Sequence, residues 1–384
     1  MTLSAEGQVL GGWPDLNRAE RSALREVLVH GPLPRTEIAR RLGLSRASLT
    51  RMARTLLDEG LVAEGGVEMR ARTGRPSELL RSRDDSFRLM GVKLTGDTVY
   101  AVLTDLRARV LASVSEPIEN PEFSAVVAQV TRLHGSLAAS GTAIVALGVC
   151  LAGDIVTEAG RRMVASSPYL GWVDVDLVGA LTARLAIPVV AENDVRALTA
   201  LEHWFGAAVD LSSFALVTVG AGLGFGFVIG GRVLTGNQGR AGRLDHLRID
   251  PDGPPCGLGH RGCASSYLTS GSIVLNAGRP DLDYDGVVRA ARAGEPGPVQ
   301  AFRDAGYALG TLLATVANVI DPEAIILTGD GLAVVEIARD AVDEAIALVR
   351  DPADAETPLE IQGFGFAEWA RAGAVTALRE LLGD

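Results

Sequence analysis

A group of three closely spaced β-strand patterns occurs twice in the chain and restricts its fold more than any other feature. The strand-like segments are residues 87–94, 98–105 and 110–117 in the first group, and 214–219, 223–229 and 232–235 in the second. Each group is followed by helical segments and further apolar strands. Strands and helices arranged this way in two similar halves predict a duplicated α/β fold built as two lobes.

The segment before this body has a different pattern. Three stretches with helical apolar spacing end at Gly31, Gly43 and Gly60, and Ser45 is suited to cap the third. A β-hairpin pattern follows, with a basic turn at residues 73–76. For the chain of 384 residues we therefore predict a flexible N-terminus over residues 1–16, a winged helix-turn-helix domain over residues 17–85 and the two-lobed body over residues 86–384.

Positive charge is concentrated in the predicted head. Residues 1–89 contain 15 arginines and 12 acidic residues, whereas the whole chain has a net charge of −11. A cationic head on an acidic body predicts double-stranded DNA as the partner. The alternative is a helical hairpin with a solvated arginine face. The candidate DNA-binding residues are Arg35, Arg46, Ala47, Ser48, Arg51, Arg54 and Arg75.

Cysteine content and hydropathy favour a cytoplasmic protein. The chain has three cysteines, too few for a secreted disulfide framework, and no secretory leader pattern begins it. The uncharged segment 211–231 is rich in glycine and has strand-like alternation, so we expect no membrane role.

Five motifs, taken together and in order, resemble the ROK family (repressor, open reading frame, kinase), specifically its branch of transcriptional regulators. The motifs are residues 73–76, 187–194, 219–226, 246–263 and 321–329. The resemblance implies a winged helix-turn-helix in front of a duplicated, actin-like and hexokinase-like ATPase fold, with a cleft between its two lobes.

The same resemblance bears on catalysis. The family's kinases carry Asp-x-Gly-Gly-Thr on the first strand of the body, where this chain has the segment 93–97, which begins with Lys93. A lysine cannot recruit magnesium, so we expect neither ATP use nor kinase activity. The glycine segment 220–226 is retained, and we interpret it as a hairpin that needs close backbone packing. Asp194 matches the family's catalytic base, which in a regulator would only bind.

Candidate ligand-binding residues follow from the resemblance: Asn193, Asp194, Arg243 and His246. The alternative for Asn193 and Asp194 is that they cap the helix that begins near Val195. Arg243 and Ser265 stand where the family has glutamates. A guanidinium only donates hydrogen bonds, which favours an acidic or phosphorylated sugar derivative, or no ligand at all.

A structural zinc site is implied as well, with one departure. Leu258 occupies the position of the family's middle cysteine, and His260 could supply the missing donor. The alternative is a glycine-rich loop that retains unused cysteines. The candidate metal ligands are His246, Cys256, His260 and Cys263.

We therefore expect a ROK-type transcriptional repressor, not an enzyme, that binds a near-palindromic operator as a homodimer or homotetramer and senses a sugar-like effector. Two alternatives remain open from sequence. One is a ROK sugar kinase with an appended DNA-binding head. The other is a regulator whose vestigial cleft is controlled by a protein partner.

Overall fold

The computed structural model describes residues 12–68, 77–139, 141, 143–158, 160–351, 353 and 355–384. Internal contacts divide the chain into two compact units. The first unit comprises Met1–Val209 and Phe366–Asp384, and the second comprises Asp210–Gly365. No helix among the described residues is long and apolar enough to cross a membrane.

The first unit begins with a winged helix-turn-helix domain. Its elements are α1 (Arg18–His30), β1 (Leu33–Pro34), α2 (Arg35–Arg41), α3 (Arg46–Asp58), β2 (Val62–Glu68) and β3 (Ser77–Ser82). The strands form an antiparallel sheet in the order β1-β3-β2. Ser45 caps α3 by accepting a hydrogen bond from the backbone of Ser48. The hairpin turn at residues 73–76, which includes Arg75, lies outside the described residues.

The corner between α2 and α3 depends on one glycine. Gly43 has a φ of 63°, in the left-handed region that favours glycine. The tight turn lets Ala39 of α2 and Leu49 of α3 bury their side chains in the head's core. This close approach fixes the angle at which α3 is presented to solvent.

The rest of the first unit is an α/β lobe. Its elements are β4 (Arg88–Leu94), β5 (Thr98–Thr104), β6 (Val110–Pro117), α4 (Phe123–Ala138), β7 (Ile144–Leu151), β8 (Asp154–Glu158), β9 (Arg161–Ser167), β10 (Trp172–Val175), α5 (Leu177–Leu185), β11 (Val189–Asn193) and α6 (Asp194–Phe205). The main sheet has the order β11-β7-β4-β5-β6, and β8, β9 and β10 form a separate antiparallel sheet.

The second unit repeats this arrangement. Its elements are β12 (Phe214–Val219), β13 (Leu223–Ile229), β14 (Arg232–Val233), α7 (Ser265–Leu268), α8 (Ser270–Asn276), α9 (Tyr284–Arg292), α10 (Pro296–Ile320), β15 (Ala324–Thr328), α11 (Ala333–Ile337), α12 (Arg339–Val349) and β16 (Leu359–Ile361). The sheet order is β14-β13-β12-β15-β16.

The two main sheets have the same topology, which confirms the predicted duplication. In each, three sequential strands pair antiparallel, and the first of them also pairs parallel with a later strand. That later strand pairs parallel with one more strand, which forms the edge of the sheet: β7 with β11 in the first unit, and β15 with β16 in the second. Each sheet has its own buried core, so each half is an α/β lobe with its own apolar interior.

The last helix, α13 (Phe366–Leu382), returns to the first unit and packs on its sheet. Glycines allow this close approach. A Cβ added at Gly91 would lie 1.9 Å from the carbonyl oxygen of Ala370, and one at Gly148 would lie 1.8 Å from that of Gly373. The backbone of α13 therefore lies directly against β4 and β7.

Candidate functional sites

The first turns of α3 present arginine to solvent. Arg46 and Arg51 are exposed, and within the described residues neither has an acidic partner. Ala47 is exposed between them, whereas Ser48 is half-buried and bound through its backbone to Ser45. Guanidinium groups without internal partners are suited to phosphates and to guanine edges. This part of α3 is therefore the candidate nucleic-acid interface.

Two other predicted DNA contacts, Arg35 and Arg54, are already paired with carboxylates of the protein. Arg35 forms an ion pair with Glu64 of β2, and Arg54 lies 3.8 Å from the carboxylate of Asp58. On α2, hydrogen bonds from Arg40 and then Arg41 lower the pKa of Glu37 to about 2. A phosphate would have to compete with these carboxylates for the same guanidinium groups.

In the first unit, Asp194 is bound by an internal cation. Lys93 of β4 donates a hydrogen bond to Asp194 Oδ2 at the start of α6. Both residues are buried, at 4% and 7% exposure, and the Lys93 ammonium lies 4.9 Å from the ring centroid of Trp369. A substrate hydroxyl that approaches this carboxylate would have to compete with the Lys93 ammonium for it.

Asn193 caps α6, as the alternative interpretation predicted. Its Oδ1 accepts hydrogen bonds from the backbone nitrogens of Val195 and Arg196, at 3.1 and 3.2 Å. Its Nδ2 donates to the carbonyl of Gly153 at 3.1 Å. The amide side chain therefore fixes the end of β11 and the first turn of α6, and so the position of Asp194.

A second glycine turn lies in the second unit, after β12. A Cβ added at Gly220 would lie 1.5 Å from Asp330 Oδ1, so the carboxylate of Asp330 rests directly on the backbone of the turn. The Gly331 nitrogen donates to the carbonyl of Val219 at 2.8 Å and holds the two turns together. Gly220 thus serves close packing and allows the Asp330 carboxylate to lie against the turn.

Four side chains of the second unit form a candidate metal centre. One ligand atom each from His246, Cys256, His260 and Cys263 lies within 4.8 Å of the other three. His246 Nδ1 is 3.6 Å from Cys256 Sγ, and His260 Nδ1 is 3.7 Å from Cys263 Sγ. Zinc bonds of about 2.3 Å to sulfur and 2.1 Å to nitrogen place neighbouring tetrahedral ligands about 3.6 Å apart. The donor set fits a tetrahedral ion.

A carboxylate orients one of these histidines. Asp245 Oδ2 lies 3.2 Å from His246 Nε2, which leaves Nδ1 directed at the thiols. This is the arrangement in which an outer carboxylate fixes the tautomer of a metal-binding histidine. The only signal for this role in the sequence is indirect, an acidic residue next to His246. Leu258, in the family's cysteine position, is 67% exposed.

Two family models match separate parts of the chain. The model described as "ROK family" matches residues 89–358, which is most of the chain, and the model described as "MarR family" matches residues 16–63. The chain belongs to the ROK family. Within the family, the winged helix-turn-helix in front of the ROK body makes it one of the transcriptional regulators.

Two similar proteins are named as bacterial regulators. The xylose repressor of Bacillus subtilis is 25% identical over 80% of this chain and 81% of its own length. The DNA-binding transcriptional dual regulator NagC of Escherichia coli is 28% identical over 90% of this chain and 88% of its own length.

A solved structure shows the same ROK architecture. The crystal structure of a ROK family transcriptional regulator, a homologue of the Escherichia coli MLC protein, superposes with a TM-score of 0.81 at 24% identity. The match covers 95% of this chain and 97% of that one. Glucokinases are also among the similar proteins, so family membership alone does not decide whether a chain phosphorylates sugars.

Proposed function

We propose that this ROK regulator is a repressor that inserts α3 into the major groove of an operator and responds to a sugar-related ligand. The observation that carries the proposal is the pair of exposed arginines, Arg46 and Arg51, that have no acidic partner among the described residues. Ala47 and Ser48 lie between them and face the same groove. The paired Arg35 and Arg54 would contribute to phosphate contacts, and Arg75 would do so from the wing.

The proposed division of labour follows the segments predicted from sequence. Residues 17–85 bind DNA, and residues 86–384 sense the ligand and assemble the oligomer. A homodimer or homotetramer would present two heads to a near-palindromic site, because two-fold symmetry in the protein is matched by symmetry in the operator. A repressor that binds operators in a bacterial genome would act in the cytoplasm.

The ligand class is proposed from the relatives and from the candidate residues. The similar regulators are named for xylose and N-acetylglucosamine, which favours a sugar. Asp194 and the exposed Arg243 are the proposed ligand contacts, and the donor-only guanidinium favours an acidic or phosphorylated sugar. Asn193 acts by holding Asp194 in place. We assign His246 to the metal centre, since both of its ring nitrogens have partners there.

The proposed regulator does not phosphorylate its ligand. Lys93 neutralises the carboxylate that matches the family's base, and it occupies the position of the carboxylate that organises magnesium in the kinases. In the second unit, Asp330 places a negative charge against the turn at Gly220, where a nucleotide phosphate would be repelled. Both features oppose ATP binding as well as proton transfer.

We also propose that the Cys/His group binds structural zinc. His260 replaces the donor lost at Leu258, and the observed nitrogen–sulfur distances match the edge of a tetrahedral site. Bound zinc would cross-link the loop that connects β14 to α7. Asp245 would orient His246, and Cys256 and Cys263 would supply the two thiolates.

Selection of bound duplexes from a random pool tests the repressor function. We expect one enriched, near-palindromic sequence whose binding falls steeply with salt, and whose affinity changes when acidic or phosphorylated sugars are added. Failure to enrich any sequence would contradict the proposal. A coupled ADP-release assay across neutral and acidic sugars tests the kinase alternative. Turnover that is abolished by Asp194→Ala would show that the chain is an enzyme.

A further inference from the structure

Helix α6 links the candidate ligand site to the DNA-binding head. It begins at Asp194 and ends at Phe205, and every residue from Asp194 to Trp204 is buried. Ten residues of α-helix span about 15 Å, so the helix extends from the Lys93–Asp194 pair to the region where α1 contacts the body. One rigid element is therefore shared by both regions.

Trp204 in the last turn of α6 contacts one arginine of the head and one of α13. Arg25 of α1 lies 5.1 Å from the ring centroid of Trp204, and Arg379 of α13 lies 5.5 Å from the same ring. Asp384 binds both guanidinium groups, at 3.3 Å from Arg25 and 2.8 Å from Arg379. We call Arg25, Trp204, Arg379 and Asp384 the head junction. It joins the head to the body by cation–π and ionic contacts around the buried Trp204 ring.

The first turn of α6 is held by equally specific contacts. Asp194 accepts from its neighbour Val195 at 2.9 Å while it is paired with Lys93, and Arg196 donates to Glu192 at 2.8 Å. A ligand hydroxyl that binds the Asp194 carboxylate must compete with Lys93. The Lys93 ammonium is the charged partner of this carboxylate among the described residues. Competition at this point alters the contacts that fix the first turn of the helix.

We propose that α6 couples ligand binding to the head: a sugar-like ligand that takes Asp194 from Lys93 weakens the hold of the head junction on α1. This inference rests on the ligand role proposed for Asp194. Because α6 is capped, continuous and packed on α13, a shift of its first turn moves Trp204 as well. Arg25 and Trp204 are accordingly positioning residues for the DNA-binding head, although neither touches DNA or ligand.

Hydrogen exchange of the full-length protein tests the coupling without any ligand or DNA. The variant Asp194→Asn releases the ion pair at one end of α6, and Arg25→Ala releases the junction at the other. We expect each to speed amide exchange across residues 18–30 by about fivefold or more, and the double variant to exchange no faster than Arg25→Ala alone. Arg132→Gln, which removes a surface ion pair with Glu116 in the same unit, is the matched control and should change nothing in this segment.

Unchanged exchange in Asp194→Asn, or effects that multiply in the double variant, would overturn the coupling. If Asp194→Asn unfolds the first unit, Lys93→Arg repeats the test by changing the other residue of the ion pair. The arginine keeps the positive charge but moves it away from the position of the lysine ammonium. The same faster exchange of residues 18–30 is then expected, and wild-type exchange would overturn the proposal. The readout needs no DNA, so an absence of operator binding would count against the repressor function alone.

Discussion

The buried ammonium of Lys93 donates a hydrogen bond to the carboxylate of Asp194, 101 positions later in the chain. In the family's kinases, by resemblance, both positions carry acidic groups that serve catalysis. Here one charge cancels the other. The carboxylate that matches the kinases' base is therefore paired inside the protein, where β11 ends and α6 begins.

This ion pair makes a prediction about stability. Lys93→Met leaves the Asp194 carboxylate buried without its partner, so the free energy of unfolding should fall by about 3–5 kcal/mol. The double variant Lys93→Met/Asp194→Leu should recover most of this loss, because no uncompensated charge remains. Urea denaturation of the two variants checks both values. A single variant as stable as wild type would show that the pair is solvated.

The metal centre predicts selective effects of single substitutions. His260→Ala should remove the fourth donor and release zinc to a chelator, whereas Leu258→Ala, at the exposed position, should leave zinc bound. Asp245→Asn should weaken binding by about 10–100-fold through the orientation of His246. Chelator competition followed by metal analysis of untagged protein measures all three. The absence of zinc from the wild-type protein would contradict the site.

The DNA interface predicts different roles for different arginines. Arg46→Ala and Arg51→Ala should each weaken duplex binding and reduce the slope of log K against log salt by about 1 if they contact phosphate. Arg40→Ala is the matched control, because its guanidinium is already bound to Glu37. Titrations at several salt concentrations compare the three. Equal losses in all three variants would mean that overall charge decides binding.

His203 at the end of α6 predicts a loss of stability in acid. Burial, followed by the charges of Arg25 and Arg379, lowers the pKa of His203 to about 4, and His30 and Asp384 also act on it. The unfolded chain binds this proton near pH 6.5, so stability is full above that pH and falls as the pH drops toward 4. The residue should account for about 2 kcal/mol of the difference between pH 8 and pH 5.

The measurement is urea denaturation at both pH values. His203→Gln should lose this part of the pH dependence. Burial also lowers the pKa of His134, so His134→Gln serves as the comparison. An unchanged pH dependence in His203→Gln would contradict the assignment.

Sequence alone determined the features that depend on neighbouring residues. Helix spacing, the turn at Gly43 and the cap at Ser45 specify the helix-turn-helix, since each is satisfied within a few residues. The repeated strand pattern specified two lobes with one topology. Cys256 and Cys263 with their nearby histidines marked the candidate metal centre, because the four side chains are close in the chain.

Only the tertiary structure decided which charges are available. Arg35 forms an ion pair with Glu64 of the wing, 29 residues later in the chain. Arg25 donates a hydrogen bond to Asp384, 359 residues later. Asn193 suited both a cap and a ligand contact in sequence. In the structure its Oδ1 caps α6 by accepting from Val195 and Arg196, and its Nδ2 donates to the carbonyl of Gly153, 40 residues away. Pairings of this kind depend on strand order and on the return of α13 to the first sheet. Local periodicity contains no information about either, so the electrostatics of the site had to come from the fold.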